Sequence, residues 1–240
     1  LVAYTYHEGL ARFATEPYST ASASDLENRC GHLTNFALNR HSAKFAGAGG
    51  GSDGHKWSLM AYRARMEREL GEEAAAGAWR AVDDLIVKAL IAVEPPISEA
   101  MEEHLPAAAA QSGEAFCFTL FGFDILFDAS AKPWLLEVNI DPSLDIDTPL
   151  DLAIKPTLIV DMLNLVGVPV APAAAGTAPS DAEMRIVQRV NAEYQRSKRD
   201  AGGRWRRLFP CLHAKERFGE FFAPQRTLHW LPFEGTGEAS

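Results

Sequence analysis

The sequence predicts a mixed α/β (α+β) fold in which an antiparallel sheet is flanked by helices. Residues 116–139 alternate in the manner of two strands joined by a short turn at 129–132. Three other stretches, 57–70, 74–93 and 149–166, are predicted to be helices, and in the two longer ones apolar residues recur at helical spacing. Elements of both kinds bury an apolar face, so we expect the helices to pack on the sheet.

Two shorter strands are predicted at the start of the chain. Residues 1–6 are rich in strand-forming residues, and Gly9 marks a turn before a second apolar run at 10–14. We therefore expect these two runs to pair as a hairpin. The stretch 46–54 holds five glycines and is predicted to be a plain loop, because no Gly-Lys-Ser/Thr sequence follows it to bind phosphate.

The predicted helix at 74–93 carries one apolar stripe, which indicates a face packed in the core. Pro95 and Pro96 follow it and are expected to break or bend it, because proline removes a backbone donor and clashes with the preceding turn. The stripe consists of Trp79, Val82, Ile86, Leu90 and Val93.

The predicted helix at 149–166 has boundary signals at both ends. Thr148 is a candidate N-cap, Pro149 occupies the first helical position, and Asp151 lies three residues after the cap. Gly167 follows the last turn, as is typical of helix ends. We expect a core helix with these bounds.

The composition excludes several classes of protein. The chain has 240 residues, of which 47% are apolar and 23% are charged, so it is neither collagen-like nor wholly disordered. Its three cysteines stand far apart, which argues against a zinc cluster or a disulfide scaffold and favours the cytosol. The longest apolar stretch, 116–127, is too short to cross a membrane, and no signal segment opens the chain. Because no initiator methionine precedes the first strand, we interpret the chain as a fragment.

The charge is unevenly distributed along the chain. The whole chain carries a net charge of −9, whereas residues 185–207 alone carry +6. A proline- and alanine-rich linker at 169–180 separates this basic segment, assigned to 181–210, from the body of the protein, and residues 211–240 stay an unassigned tail. Such a segment indicates an acidic partner. Its basic residues are Arg185, Arg189, Arg196, Lys198, Arg199, Arg204, Arg206 and Arg207.

Three oxygen-bearing side chains of the predicted 116–139 hairpin are candidates for a cation site. If Asp128 pairs with Pro133 at the turn, Asp124 lies directly opposite Glu137, and Asn139 shares a strand face with Glu137. Two opposed carboxylates repel unless a cation lies between them, and hard oxygen donors suit Mg²⁺. The alternative is that these residues merely face solvent, and a one-residue slip would separate the two acids.

Several motifs follow one another along residues 1–168. They are Arg12-Phe-Ala-Thr-Glu-Pro-Tyr18, His32-Leu-Thr-Asn35, Lys56-Trp-Ser58, Phe121-Gly-Phe-Asp-Ile-Leu126, Lys132-Pro-Trp-Leu-Leu-Glu-Val-Asn139, Pro142-Ser-Leu144 and Pro149-Leu-Asp151. Together and in this order they resemble the tubulin tyrosine ligase-like family. The stretch Arg204-Trp-Arg-Arg-Leu-Phe-Pro210 adds similarity to its polyglutamylase branch.

This resemblance implies the C-terminal part of an ATP-grasp catalytic domain at 1–168. The implied enzyme uses ATP and Mg²⁺ to activate a glutamate side chain of a tubulin tail as an acyl phosphate, and then joins it to free glutamate. Its implied partners are microtubules and their acidic tails, in the cytoplasm and in the cytoskeleton of the cilium or basal body. No membrane partner is expected, because no apolar stretch is long enough to span one. A nucleic-acid partner is a weaker interpretation of the basic segment, because that segment lacks interleaved stacking aromatics and a known module signature.

The resemblance also assigns roles to individual residues. Asp124, Glu137 and Asn139 correspond to the family's Mg²⁺ ligands. Arg12 corresponds to a catalytic arginine near the ATP phosphates and the acyl intermediate. Thr34 and Asn35 correspond to the family's phosphate-binding loop. Lys155 is expected to bind an acidic substrate. The basic segment is expected to bind microtubules.

Two departures from the family pattern leave other readings open. Asp141 stands where many relatives carry a small residue, which leaves the choice of added amino acid open between glutamate, glycine and tyrosine. The family's upstream portion has no counterpart here, so the chain by itself is expected to be a poor catalyst. A microtubule-binding module without catalysis is the alternative from a different class.

Overall fold

The computed structural model describes residues 1–19, 27–46, 54–104, 117–166, 204–211 and 213–222. Helices and small sheets alternate along the chain, which agrees with the α+β prediction. The strands in the described ranges are β1 (Ala3–Tyr6), β2 (Leu10–Arg12), β3 (Lys56–Ser58), β4 (Gly122–Phe127), β5 (Pro133–Asn139) and β6 (Trp205–Phe209). The helices there are α1 (Arg29–His32), α2 (Phe36–Asn39), α3 (Leu59–Leu70), α4 (Glu72–His104), α5 (Pro149–Val166) and α6 (Ala214–Phe218), followed by a 3₁₀ turn at Gly219–Phe221.

The chain divides into two compact units, each assembled from separate stretches of sequence. The first unit contains 1–5, 77–142 and the residues from 160 onward, and the second contains 6–76 and 143–159. Within the described residues the strands pair as β1 with β6, β2 with β3, and β4 with β5. No helix of the described part combines the length and apolar character needed to span a membrane.

The core of the first unit joins β1, the middle of α4, β6 and α6. Phe218 at the end of α6 is 1% exposed, and its ring lies edge-on to that of Phe209 in β6, with centroids 6.3 Å apart. Arg206 of β6 binds both carboxylate oxygens of Asp83 at 2.8 Å, which adds a polar contact beside the core. The buried residues of this core are Ala3, Val87, Ile91, Leu208, Phe209, Ala214 and Phe218.

The predicted pairing of residues 1–6 with 10–14 is wrong. Both runs contain strands, but β1 pairs with β6 and β2 pairs antiparallel with β3. The intervening residues bind the start of α3 instead of forming a hairpin turn. The Glu8 carboxylate accepts from the backbone N–H of Met60 at 3.1 Å, and the Gly9 carbonyl accepts from Leu59 at 2.9 Å.

The predicted helices form, but the first two differ from the prediction at three of their ends. Helix α3 begins at Leu59, two residues later than predicted, because Lys56–Ser58 is a strand and the Ser58 hydroxyl caps the helix by accepting from Ala61 at 3.1 Å. Helix α4 begins at Glu72, two residues earlier than predicted, and is not broken at Pro95 and Pro96 but runs on to His104. The φ angle of proline is compatible with a helix, although each proline removes one backbone N–H donor from it.

Helix α5 has the predicted bounds within the described residues. The Thr148 hydroxyl accepts from the Asp151 backbone at 3.4 Å, and the Asp151 carboxylate accepts from the Thr148 backbone at 3.0 Å. These reciprocal contacts are a capping box with Asp at the acidic position. Gly167, the predicted stop signal, lies outside the described residues, as do positions 47–53 of the glycine-rich loop and the linker at 169–180.

The predicted hairpin of β4 and β5 is confirmed, and its register brings Asp124 opposite Glu137. At the turn, Phe127 rather than Asp128 pairs with Pro133, so the prediction is off by one residue there. The register then shifts between Asp124 and Ile125, where one extra residue, Leu136, has no partner of its own. This β-bulge restores the predicted pairing at the two acids.

Candidate functional site

The three predicted metal ligands of the hairpin, Asp124, Glu137 and Asn139, lie in the first unit. Asp124 of β4 is half-buried and directly opposite Glu137 of β5, which is exposed. The side-chain amide of Asn139 donates to the Glu137 carboxylate at 3.2 Å, so these two residues share a face of β5 as predicted. The structure therefore brings all three predicted donors to one patch of the hairpin.

Backbone packing closes the end of this patch. Gly122 lies opposite Asn139, and a Cβ added at Gly122 would approach the Cβ of Pro142 to 2.9 Å. Any side chain at position 122 would therefore push the loop after β5 away from the hairpin. The glycine is needed here for close approach rather than for an unusual backbone angle.

The donor set fits a hard divalent cation. It offers two carboxylates and, because the NH₂ group of Asn139 is directed at Glu137, one amide carbonyl oxygen. No group of three or more His, Cys, Asp or Glu side chains in the described residues is arranged to hold a metal. If a divalent cation binds here, the three hairpin residues would supply only some of the oxygen ligands that it needs.

The predicted phosphate-binding residues lie in the second unit, and two of them, Arg12 and Thr34, line a small cleft. Arg12 at the end of β2 is exposed and pairs in register with Lys56 of β3, so two cations stand side by side on the strand pair. Arg12, Lys56 and Thr34 all line the cleft. Asn35 is exposed, and its backbone carbonyl accepts from Asn39 at 3.0 Å in the first turn of α2.

Lys56, which lines this cleft, also belongs to a buried charge network. The Lys56 ammonium lies 2.6 Å from Oδ2 of Asp151, and the two side chains are only 7% and 0% exposed. The Thr148 hydroxyl donates to the same oxygen at 2.7 Å. The sequence motifs contained Lys56 and Asp151, but sequence reasoning assigned Asp151 only a place in the helix cap and Lys56 no role. Only their pairing across 95 residues identifies the network.

The Asp151 carboxylate stays charged in this network. Burial would raise its pKa, but hydrogen bonds from Lys56, Thr148 and Lys155 outweigh the burial and lower the pKa from 3.8 to about 2. Its other oxygen, Oδ1, lies 3.1 Å from the Lys155 ammonium. One carboxylate therefore faces two lysines, so the three side chains together keep one positive charge in excess.

Lys155, predicted to meet an acidic substrate, is held by its own chain. In addition to Asp151, its ammonium binds the backbone carbonyl of Asp145 at 2.5 Å, and its side chain is 16% exposed. These contacts fix the ammonium at the start of α5. Substrate binding by Lys155 stays a prediction.

Three of the predicted microtubule-binding residues are described, all in or next to β6. Arg204 lies 3.1 Å from the carboxylate of Asp161, Arg206 binds Asp83 at 2.8 Å, and Arg207 is half-buried. Arg204 and Arg206 are therefore already paired with acidic residues of the first unit. The other five, Arg185, Arg189, Arg196, Lys198 and Arg199, lie outside the described residues.

Comparison with known proteins identifies the family. The tubulin-tyrosine ligase family matches residues 1–175, which include the hairpin donors, the cleft and the charge network. The chain belongs to this family. Ligases of the family generally use ATP. The basic positions from 185 to 207 fall beyond the family match.

Individual relatives are similar over most of this chain. Tubulin polyglutamylase ttll-5 of Caenorhabditis elegans is 44% identical over 172 residues, which cover 70% of this chain and 22% of the relative. Tubulin polyglutamylase TTLL5 of Homo sapiens is 41% identical over 170 residues, 70% of this chain and 13% of the relative. Tubulin polyglutamylase TTLL6 of Mus musculus is 39% identical over 163 residues, which cover 68% of this chain and 19% of the relative. The chain thus spans less than a quarter of the length of these relatives.

Proposed function

We propose that the protein is an ATP- and Mg²⁺-dependent tubulin polyglutamylase, and that its described units belong to the C-terminal part of an ATP-grasp fold. The proposal draws on the names of the family relatives, which are similar along about 70% of this chain. The structural observation that carries it is the hairpin register, which sets Asp124 opposite Glu137 with Asn139 alongside. Opposed carboxylates of this kind favour a bound cation.

The proposed reaction has two steps. An oxygen of a glutamate side-chain carboxylate in a tubulin tail attacks the terminal phosphorus of ATP, which breaks the bond to ADP and leaves an acyl phosphate. The neutral amine of free glutamate then attacks the acyl carbon, an isopeptide bond forms, and inorganic phosphate leaves. The amine must lose one proton to become a nucleophile and a second during the coupling.

Negative charge accumulates on phosphate oxygens in the first step, so positioned cations accelerate it. Asp124, Glu137 and Asn139 would hold Mg²⁺, which supplies charge neutralisation of the ATP phosphates when it is bound. Arg12, exposed at the end of β2, would donate to the phosphate being transferred. Thr34 and Asn35 would contribute donors from the loop at the same cleft.

The second part of the proposal concerns the partner. The tails of tubulin are acidic, and the basic positions between 185 and 207 would attract them through long-range electrostatics. The protein would then act in the cytoplasm on the cytoskeleton, including that of the cilium or basal body. Lys155 would contribute to binding of an acidic substrate at α5.

Mass spectrometry of tubulin tails tests the reaction. Full-length protein is incubated with microtubules, ATP, Mg²⁺ and a mixture of glutamate, glycine and tyrosine, and the added mass identifies the amino acid. We expect glutamate on glutamate side chains. Addition of glycine or tyrosine would replace the proposed activity with that of another ligase, and unmodified tails with intact microtubule binding would favour the binding module without catalysis.

The hairpin contribution is tested by Glu137→Gln. The variant should abolish modification while leaving microtubule binding unchanged, because it removes a charge without changing shape. Glu67→Gln, a change at an exposed position of α3, is the matched control and should leave the activity intact. Full activity of Glu137→Gln would contradict the proposed metal site.

A further inference from the structure

Asn39, the last residue of α2, is polar but almost completely buried, with 1% of its surface exposed. Its amide nitrogen donates to the carbonyl of Leu33 at 2.6 Å and to that of Asn35 at 3.2 Å. Its amide oxygen accepts from the backbone and the hydroxyl of Thr15, at 3.2 and 2.8 Å. The side chain therefore uses two donors and two acceptors, which is its full capacity.

These four bonds connect two sides of one cleft. Leu33 and Asn35 flank Thr34, so the amide holds the backbone on both sides of that residue. Thr15 lies three residues after Arg12, the last residue of β2. Asn39 itself lines the cleft together with Arg12 and Thr34. One buried side chain thus ties the loop at 33–35 to the strand end that carries Arg12.

The local helices do little to hold this loop. Helices α1 and α2 have four residues each, far below the length at which a helix is stable alone. The side chains at both N-caps, Asn28 and Asn35, make no capping hydrogen bond. The fixed position of the loop therefore depends on contacts such as those of Asn39.

We propose that Asn39 is a positioning residue that holds the loop around Thr34 in register with Arg12 for binding of the ATP phosphates. This inference rests on the proposed function, in which Thr34, Asn35 and Arg12 border those phosphates. A loop fixed before binding loses less conformational entropy when ATP binds, so the role of Asn39 is expressed in ATP affinity.

Asn39→Asp tests the role with nearly unchanged shape. The new carboxylate still accepts from Thr15, but it places an oxygen against the carbonyls of Leu33 and Asn35, and both carbonyls lose the side-chain donor of Asn39. We expect the Kd for ATP in the presence of Mg²⁺ to rise at least tenfold, while kcat at saturating ATP stays within threefold of wild type. Asn39→Ala removes the donor without adding charge and should shift the Kd in the same direction, and it serves as the second variant if Asn39→Asp does not fold.

Thr15→Val is the matched control. It removes the hydroxyl that donates to the amide oxygen, but the Thr15 backbone N–H still donates to that oxygen and both bonds to the loop stay, so the Kd should change less than threefold. Hydrogen exchange of full-length protein should show faster exchange at residues 33–38 in Asn39→Asp than in Thr15→Val.

The outcomes are distinguishable from failure of the proposed function. A purely structural role would reduce the amount of folded protein without changing the Kd of the folded fraction, and that result would overturn the inference. Unchanged exchange at 33–38 would also overturn it. If wild type binds ATP but does not glutamylate tubulin, only the proposed function fails. If wild type does not bind ATP, both fail.

Discussion

The ammonium of Lys56 lies 2.6 Å from the carboxylate of Asp151, and neither side chain is more than 7% exposed. A buried pair of this kind loses hydration on both partners, so its net contribution to stability is modest while both are present. Removal of one partner leaves the other buried without its countercharge, which costs much more. The pair therefore makes both residues hard to replace singly.

We predict that Lys56→Met destabilises the protein by about 3 kcal/mol, the lower end of the range for a broken buried pair, because Lys155 still faces Asp151. The double variant Lys56→Met with Asp151→Leu should recover part of this loss, since it leaves no buried charge at Asp151. Denaturation by urea measures both changes. Lys44→Met is the control, because Lys44 is 65% exposed in its pair with Glu16 and its loss should cost less than about 1 kcal/mol.

The lowered pKa of Asp151 predicts acid sensitivity. A carboxyl group whose pKa falls from 3.8 to about 2 on folding stabilises the folded protein above pH 3.8, and this contribution is lost as the pH falls toward 2. The loss should be about 2 kcal/mol. The reference protein combines Asp151→Asn with Lys56→Met, so it has no carboxyl group at position 151 that could take up a proton. Free energies of unfolding that fall in parallel for both proteins between pH 4 and 2 would contradict this assignment.

Local signals predicted the elements whose determinants lie close together in sequence. Thr148, Pro149 and Asp151 lie within four residues, and they fixed the start of α5 correctly. The short turn expected at 129–132 likewise led to the correct pairing of β4 with β5. Its register at the two acids was correct only because Leu136 forms a bulge that offsets a one-residue difference at the turn. No local pattern marks that bulge.

Non-local contacts account for what the sequence did not predict. Glu8 and Gly9 have the composition of a turn, but their hydrogen bonds to the start of α3 separate β1 from β2. Asn39 carries no sequence signal of burial, since asparagine is usually exposed. Its amide oxygen accepts a hydrogen bond from Thr15, 24 residues away. The cleft and the charge network therefore required the structure.

The hairpin donors predict a measurable cation affinity. Mn²⁺, a spectroscopic substitute for Mg²⁺, should bind to full-length protein with ATP present, because phosphate oxygens complete the shell. Asp124→Asn should weaken Mn²⁺ binding about tenfold or more, in line with losses seen when metal-site residues are changed. Electron paramagnetic resonance of free Mn²⁺ reports the change. Glu220→Gln, at an exposed position of the first unit, should bind Mn²⁺ as wild type does, and equal affinities of all three proteins would remove the hairpin from the site.

Arg206 is assigned two roles, a fold contact with Asp83 and a proposed contact with microtubules, and a charge swap separates them. Arg206→Glu alone should lower the thermal unfolding temperature, because it places two carboxylates together where the guanidinium now binds both oxygens of Asp83 at 2.8 Å. Adding Asp83→Lys should restore the unfolding temperature, since the pair is re-formed with reversed charges.

The same double variant keeps the net charge of the protein but moves a positive charge from β6 to α4. If Arg206 contacts the acidic tails, microtubule affinity should stay reduced in the double variant although its stability is restored. Cosedimentation at two salt concentrations measures this, and the affinity of wild type should fall as salt rises because exposed charges are screened. Full recovery of microtubule binding together with stability would mean that Arg206 acts only within the fold, through Asp83.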